Sequence, residues 1–514
     1  MALADYHERA ALAASQVIAG FDLDLFRTVL NETAVGIGIG RQAGDSNEGR
    51  FIADLTIRLL ARLYPLLELR VEASALAESL ATLARAINPQ IEITTNASVG
   101  ISIGTGSPKF NTSYFAGSNG WDAFVSSREP LQTGSSPNPL GAGVAACVAA
   151  ANLFNRVLIP NWEERITEQL LFSTFRRDRQ ATSEDIPNSG WHLDQDAVLV
   201  GLGAIGNGAV WALSRSPLCG ALHIVDPEIL ELSNLQRYVL GIGSDEGRAK
   251  VQVSGSTFHG ALKALPHQMK WAEFVQASGY KWSHVLVALD TAADRRAVQA
   301  SLPKWIANAW TQPGDLGLSI HGRFDGAGAC LSCLYVADRK VPNEDEIVAQ
   351  ALGIPALVGE IRTLLHTGKG VSRQLLEAVA ASLQLPVDDV VVYEGRPVRD
   401  LYVEGVCGGG LISLGSTGAP RQELHVPLAH QSALAGVLLA AALARRSILP
   451  AQEGTEITRL NILDRMSEYP TQHAQKAGNG LCICEDIDYL TAFRAKYLSD
   501  TKIDEDLKGP SAIV

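Results

Sequence analysis

Short apolar runs that end on glycine or aspartate alternate along this chain with longer stretches whose apolar residues recur at helical spacing. Residues 54–69 (DLTIRLLARLYPLLEL) carry that helical period, and 92–104 (EITTNASVGISIG) read as strand and turn. Residues 141–158 (GAGVAACVAAANLFNRVL) are helical and rich in small residues, which suits close packing on a sheet. Up to about residue 160 the pattern predicts an α/β layer without a complete phosphate loop. The polar stretch 176–190 (RRDRQATSEDIPNSG) contains Pro187 and predicts a linker.

A second α/β unit starts at Asp196: an apolar strand, a glycine turn, a helix, then ALHIVD ending at Asp226 and HVLVALD ending at Asp290. Apolar runs that stop at aspartate predict a parallel sheet with polar groups at the carboxyl ends of its strands. Over 341–423 the pattern changes to short helices and a glycine-rich stretch, which predicts an insertion. A return helix (430–445), a strand (456–462) and a cysteine-containing tail follow.

Composition narrows the class. With 46% hydrophobic and 19% charged residues in 514, the chain has ample apolar surface for two or three folded domains. A net charge of −12 excludes a general nucleic-acid binder, since no basic excess displaces counterions from phosphates. The most span-like segment, 432–444, is closed by Arg445 and Arg446 and predicts a buried helix, not a membrane span. Charges at Asp5, Glu8 and Arg9 argue against a signal peptide, so the cytoplasm is the expected location. Seven cysteines in so long a chain point to metal or thiol chemistry and not to a disulfide framework.

The chemistry concentrates after residue 197. Gly201, Gly203 and Gly206 form G-x-G-x-x-G between strand and helix, where glycine lets backbone approach a phosphate and the helix N-terminus offers N–H donors. Asp226 stands where a carboxylate accepts from ribose hydroxyls. The next segment, DPEILELSNLQRYVLGIGSDEGRAK, has no evident use in hydride transfer but suits ATP. Asn234 can hold a phosphate or ribose oxygen, Arg237 and Lys250 can neutralise a triphosphate, and Asp290 offers a hard oxygen ligand for Mg²⁺.

The order G-x-G-x-x-G, D-x-x-x-x-E-x-S-N-L-x-R, G-x-x-K, A-L-D resembles the ThiF, MoeB and E1 superfamily over roughly 198–335. The resemblance implies a Rossmann-like fold that adenylates the C-terminal glycine of a ubiquitin-like protein with ATP and Mg²⁺. It implies nucleotide roles for Gly201, Gly203, Gly206, Asp226, Asn234, Arg237 and Lys250, and a magnesium role for Asp290. The family's Gln after the arginine is here Tyr238, which puts one phosphate-side hydrogen bond in question. Family sites often borrow an arginine from the opposing half, and Arg41 and Arg50 are candidates.

Cys330 and Cys333 (ACLSCLY) resemble half of the family's structural zinc knuckle, with Cys482 and Cys484 (LCICED) as the other half at the shorter C-x-C spacing. Cys147 and Cys219 read as core residues. Cys407, in VEGVCGGGLIS, lies where thioester-forming E1 enzymes carry their nucleophile. His425 and His430 flank the start of the return helix, where a capping or core role competes with proton transfer.

The expected fold class is therefore α/β. It has an inactive adenylation-like domain at 1–165, the first part of an active one at 190–335, a helical catalytic-cysteine insertion at 336–424, and the return with a zinc-binding tail at 425–514. The two halves make the chain pseudo-dimeric, with further oligomerisation open. The resemblance is greatest to E1-like enzymes of bacterial ubiquitin-like conjugation operons of the antiphage kind, which implies a ubiquitin-like protein and an E2-like enzyme as partners. A MoeB-type sulfur-carrier adenylyltransferase that stops at the adenylate, and an inactive scaffold that binds a ubiquitin-like protein, are the other readings. An NAD-binding oxidoreductase is a distant further one.

Overall fold

The structure is a computed structural model and describes residues 6–180, 182–312, 314–336, 344–402, 405, 426–450 and 454–507, with side chains to Tyr497. Two compact units result: residues 1–336 with 426–514, and residues 337–425.

The larger unit holds two sheets. In the first, β1 (Val35–Ile39), β2 (Leu66–Val71), β3 (Glu92–Ile93), β4 (Val99–Ile103), β5 (Thr112–Asn119), β6 (Asp122–Ser126) and β7 (Gln169–Ser173) lie in the order β3-β2-β1-β4-β5-β6-β7. In the second, β8 (Ala197–Val200), β9 (Gly220–Val225), β10 (Leu262–His267), β11 (His284–Val287), β12 (Ile306–Gln312), β13 (Asp315–His321), β14 (Thr455–Leu460) and β15 (Thr471–His473) lie in the order β10-β9-β8-β11-β12-β13-β14-β15. Up to β14 the second order repeats the first strand for strand. Pairing is parallel through β5 and through β12, then antiparallel. Both halves are thus Rossmann-like, in accord with the expected α/β class.

Each half contributes two helices to a shared layer: Asn47–Leu60 and Leu140–Leu158 from the first, Ala204–Arg215 and Ala429–Arg446 from the second. Small residues decide how closely they pack. A Cβ on Gly436 would stand 2.3 Å from the Ile205 carbonyl oxygen, and one on Gly208 would stand 2.7 Å from that of Ala433. The last two helices therefore cross backbone to backbone, and one core runs through both halves. Leu434, Leu438 and Leu439 are fully buried there, each worth about 1.5–3 kcal/mol. Helix Leu140–Leu158 is the one described helix long and apolar enough to cross a membrane, but 89% of its apolar window is buried inside the protein.

Polar contacts fix the register of the layer. Asp54 accepts from Trp211 Nε1 at 2.7 Å and pairs with Arg215 at 3.0 Å and Arg58 at 3.1 Å. Burial alone would raise its carboxyl, but the two guanidinium groups and the indole hold it below the usual range.

Three sequence expectations change. The periodicity over 54–69 spans two elements, because the helix ends at Leu60 and β2 begins just past Pro65. The strand expected to reach Asp290 ends at Val287. The polar stretch after Arg176 is docked and not a free linker. Arg177 is buried, has φ of 58° and pairs with Glu456, Thr471 Oγ1 donates to its carbonyl at 2.7 Å, and Trp121 and Trp191 both donate to the Pro187 carbonyl at 3.0 Å.

The smaller unit is helical, with Glu344–Ala351, Val358–Thr367 and Arg373–Leu383 closing on Val348, Leu352, Ile361, Leu376 and Val379. Ser372 caps the third of these helices, accepting from the Leu375 N–H at 3.2 Å. Cys407 and His425 lie outside the described residues.

Candidate nucleotide site

The glycine turn follows β8 without a spacer. Gly201 has φ of 90°, and a Cβ there would stand 2.6 Å from the Ala288 carbonyl oxygen. One on Gly206 would stand 2.2 Å from that of Gly201. Only glycine fits either position, so the turn wraps tightly and Gly203 becomes the N-cap of helix Ala204–Arg215. Asp226, just past β9, braces the turn: Oδ2 accepts from the Leu202 N–H at 2.7 Å and Oδ1 from the Glu228 N–H at 2.9 Å. Burial raises its carboxyl against the pull of those bonds and of Lys250. Each oxygen keeps a second lone pair for a ribose hydroxyl.

The segment after Asp226 brings the cations in. Asn234 caps its own turn, Oδ1 accepting from the Glu231 N–H at 3.1 Å, and its amide nitrogen takes no part in that bond. Lys250 is buried and pairs with Glu228, its Nζ 5.2 Å from the centre of the Tyr238 ring. Burial would lower Lys250, but Tyr238, Glu228 and Asp226 raise it overall, so it stays charged. Arg237 stands 5.6 Å from the same ring. The hydroxyl of Tyr238 comes within 3.6 Å of where a Cβ on Gly203 would stand, so the residue that replaces glutamine reaches the phosphate turn itself.

Arg237 carries the most telling observation. Its Nη1 is buried with no hydrogen-bond partner among the described residues, and burial lowers its pKa. Tyr238 and Asp290 oppose that lowering, while a second cation, Arg9, adds to it. Arg9 belongs to helix His7–Ser15 of the first half, and its Nε is likewise buried without a partner among those residues. Two guanidinium groups within electrostatic reach, each with an unanswered buried N–H, describe a place for an anion. Of the expected arginines, Arg41 is exposed, 3.8 Å from Glu72, and Arg50 Nε donates to the Gly44 carbonyl at 2.7 Å. Sequence reasoning missed Arg9, whose helix shows its buried face of Ala10, Ala11, Ala13 and Ala14 only once the chain is folded.

Asp290 is exposed and acts on Arg237. Asn207, also missed, ties the site together: Nδ2 donates to the Leu202 and Gly203 carbonyls at 2.9 and 3.2 Å, and Oδ1 accepts from the Leu240 N–H at 3.3 Å.

Cys330, Cys333, Cys482 and Cys484 converge, with all four sulfurs within 4.8 Å of one another. The Cys333 sulfur lies 3.9, 3.3 and 3.4 Å from those of Cys330, Cys482 and Cys484, and Cys330 lies 3.5 Å from Cys482. A tetrahedral zinc–thiolate site asks for about 3.8 Å. The C-x-C pair reaches because Ile483–Glu485 is a tight 3₁₀ turn. Beyond it Tyr497 donates to the Trp282 and Leu302 carbonyls at 3.0 and 3.2 Å, so the tail docks on the nucleotide half. Of the other expected candidates, Cys147 is fully buried, with its thiol pushed up by burial, and Cys219 is half-buried. His430 is a core residue beside Phe154, pushed down to about 3 by burial.

Fold and site together define a Rossmann-like α/β protein with a tight glycine turn and cations gathered round Tyr238 beside it. Residues 192–384 match the sequence profile of the ThiF family, and residues 38–159 match the profile of prokaryotic E2 family C. An uncharacterized protein of Sinorhizobium fredii, y4jF, is 41% identical over 513 residues, covering 97% of this chain and 98% of that one. The sulfur carrier protein ThiS adenylyltransferase of Escherichia coli is 27% identical over 255 residues, 46% of this chain and 95% of that one. A crystal structure of E. coli MccB with MccA-N7isoASN aligns with a TM-score of 0.35 at 11% identity, over 57% of this chain and 67% of that one. The chain belongs to the ThiF/MoeB/E1 superfamily and is an adenylyltransferase of the ThiF type. The region matching the E2 profile contains a single cysteine, the buried Cys147, so it has no thiol placed to carry a thioester.

Proposed function

We propose that this chain activates the C-terminal carboxylate of a ubiquitin-like protein. The carboxylate oxygen attacks the α-phosphorus of ATP, the bond to the bridging oxygen breaks, and pyrophosphate leaves. The observation that carries this reading is the pair of unanswered guanidinium N–H groups on Arg9 and Arg237 beside Lys250 at the glycine turn. In this reading those cations receive the charge that gathers on the leaving group. Asp290 is the carboxylate assigned to hold magnesium, which supplies further neutralisation of the phosphates. Zinc is assigned to the four-cysteine cluster, where it closes a structural site between the nucleotide half and the tail.

In the second step the Cys407 thiolate attacks the acyl carbon, AMP leaves, and the acyl group passes to the cysteine of an E2-like partner. The match of 38–159 to a prokaryotic E2 profile supports a bacterial conjugation setting. The similarity to the ThiS adenylyltransferase favours a second reading, a sulfur-carrier enzyme that stops at the adenylate. A gel of enzyme, ubiquitin-like protein, ATP and Mg²⁺, run with and without reductant, separates the two. The first reading expects a reductant-sensitive adduct that disappears in Cys407→Ala while ATP–pyrophosphate exchange continues. Exchange without any adduct in the wild type selects the second, and absence of both leaves only a scaffold that binds a ubiquitin-like protein.

A further inference from the structure

We infer that Arg62, which belongs to the first half, is a positioning residue for the phosphate-directed side chains of the second. Its guanidinium is buried and grips backbone alone among the described residues. Nε and Nη2 donate to the Tyr238 carbonyl at 3.2 and 2.5 Å, Nη2 also to the Gly241 carbonyl at 2.6 Å, and Nη1 to the Arg58 carbonyl at 3.2 Å. Arg58 adds a bond from Nη1 to the Val239 carbonyl at 3.0 Å. The carbonyls of residues 238, 239 and 241 are thus all held from the other half of the molecule.

The side chains on the gripped segment are those that meet the phosphates. Arg237 precedes Tyr238, whose ring both Arg237 and Lys250 approach and whose hydroxyl faces Gly203. Moving this backbone moves Arg237 and Tyr238, and with them the ring that Lys250 approaches, while Asp226, braced by Leu202 and Glu228, keeps its place. Arg62 has no carboxylate among these bonds. Burial lowers it to about 10, Tyr6 opposes that and Arg58 adds to it, so it remains a cation at neutral pH. A buried cation bonded only to neutral groups is expensive to keep. A planar fork satisfying several carbonyls at once is what distinguishes arginine from lysine at such a position. The cost is intelligible where an anionic substrate binds one residue away.

The inference rests on the proposed use of ATP, so the test reads nucleotide binding directly. Affinities of the full chain for Mg·ATP and for adenosine are measured by calorimetry in wild type, Arg62→Lys and Arg62→Met, alongside thermal melting. Arg62→Lys keeps the charge but lacks the fork. It is expected to melt near the wild type and to bind ATP roughly tenfold more weakly, with adenosine affinity unchanged within about twofold. Arg62→Met is expected to lose more, and if it does not fold Arg62→Lys carries the test. Equal losses for ATP and adenosine make Arg62 merely structural and overturn the inference, as does unchanged ATP affinity in a folded variant. Wild-type protein that binds no ATP overturns the proposed function as well.

Discussion

The two halves share a strand order and part company immediately after their first strand. After β8 the chain turns on Gly201 and Gly203 straight into a helix whose N-cap, Gly203, carries no side-chain cap. After β1 it makes a short extra helix, Arg41–Asp45, before the main helix starts at Asn47. There Glu48, fully buried, accepts from the Gly120 N–H at 3.0 Å, the Ser136 N–H at 3.1 Å and Ser136 Oγ at 2.8 Å, with Ser118 Oγ as a further donor. The first half has put its own carboxylate among donors on the crevice side of its sheet. Arg9, Arg58 and Arg62 serve the other half instead. In the proposed reading, one architecture is used once to bind and once to support.

That contrast can be broken from either side. The largest effect is expected at the cations of the second half. Arg237→Ala should reduce ATP–pyrophosphate exchange about 100- to 1,000-fold at unchanged melting temperature. Arg9→Ala should act in the same direction but less, about tenfold, because Arg9 reaches the proposed anion from the other half while Arg237 sits beside Tyr238 at the glycine turn. Exchange at wild-type rate in Arg9→Ala would return the borrowed-arginine role to Arg41 or Arg50. The smallest catalytic effect is expected at Glu48. Glu48→Gln places an amide donor against backbone N–H groups and should cost about 1–3 kcal/mol of stability, read by denaturant unfolding, with nucleotide affinity intact. If that variant instead lost ATP binding at full stability, the division of labour between the halves would be wrong.

What the sequence announces and what it hides depend on distance along the chain. The glycine turn, Asp226 and the cysteine pairs are legible because their residues are close together and their chemistry restricts which types can stand there. The end of the helix within 54–69 is not legible, because Leu66, Leu67 and Leu69 of the half-buried strand β2 continue the apolar spacing of the helix before it. Arg62 and Tyr238 meet across 176 residues, and no local pattern marks either for the other. Arg9 reads as one more polar position on a surface helix until the second half is folded against it. Glu48 looks like an ordinary acidic residue in a first helical turn, and only the burial around it says otherwise.

The joining of two like sheets in one chain also changes how such a protein can vary. In a symmetric homodimer every substitution is made twice, so a residue cannot be improved as a support without being altered as a catalyst in the other copy. Here the first half is free of that constraint. Trp211, Asp54 and Arg215 can be matched to one another as unlike partners across the shared layer, and the two halves can neither exchange nor dissociate on dilution. Inheritance then acts on two surfaces where a homodimer offers one, and a loss in the first sheet need not be a loss in the second.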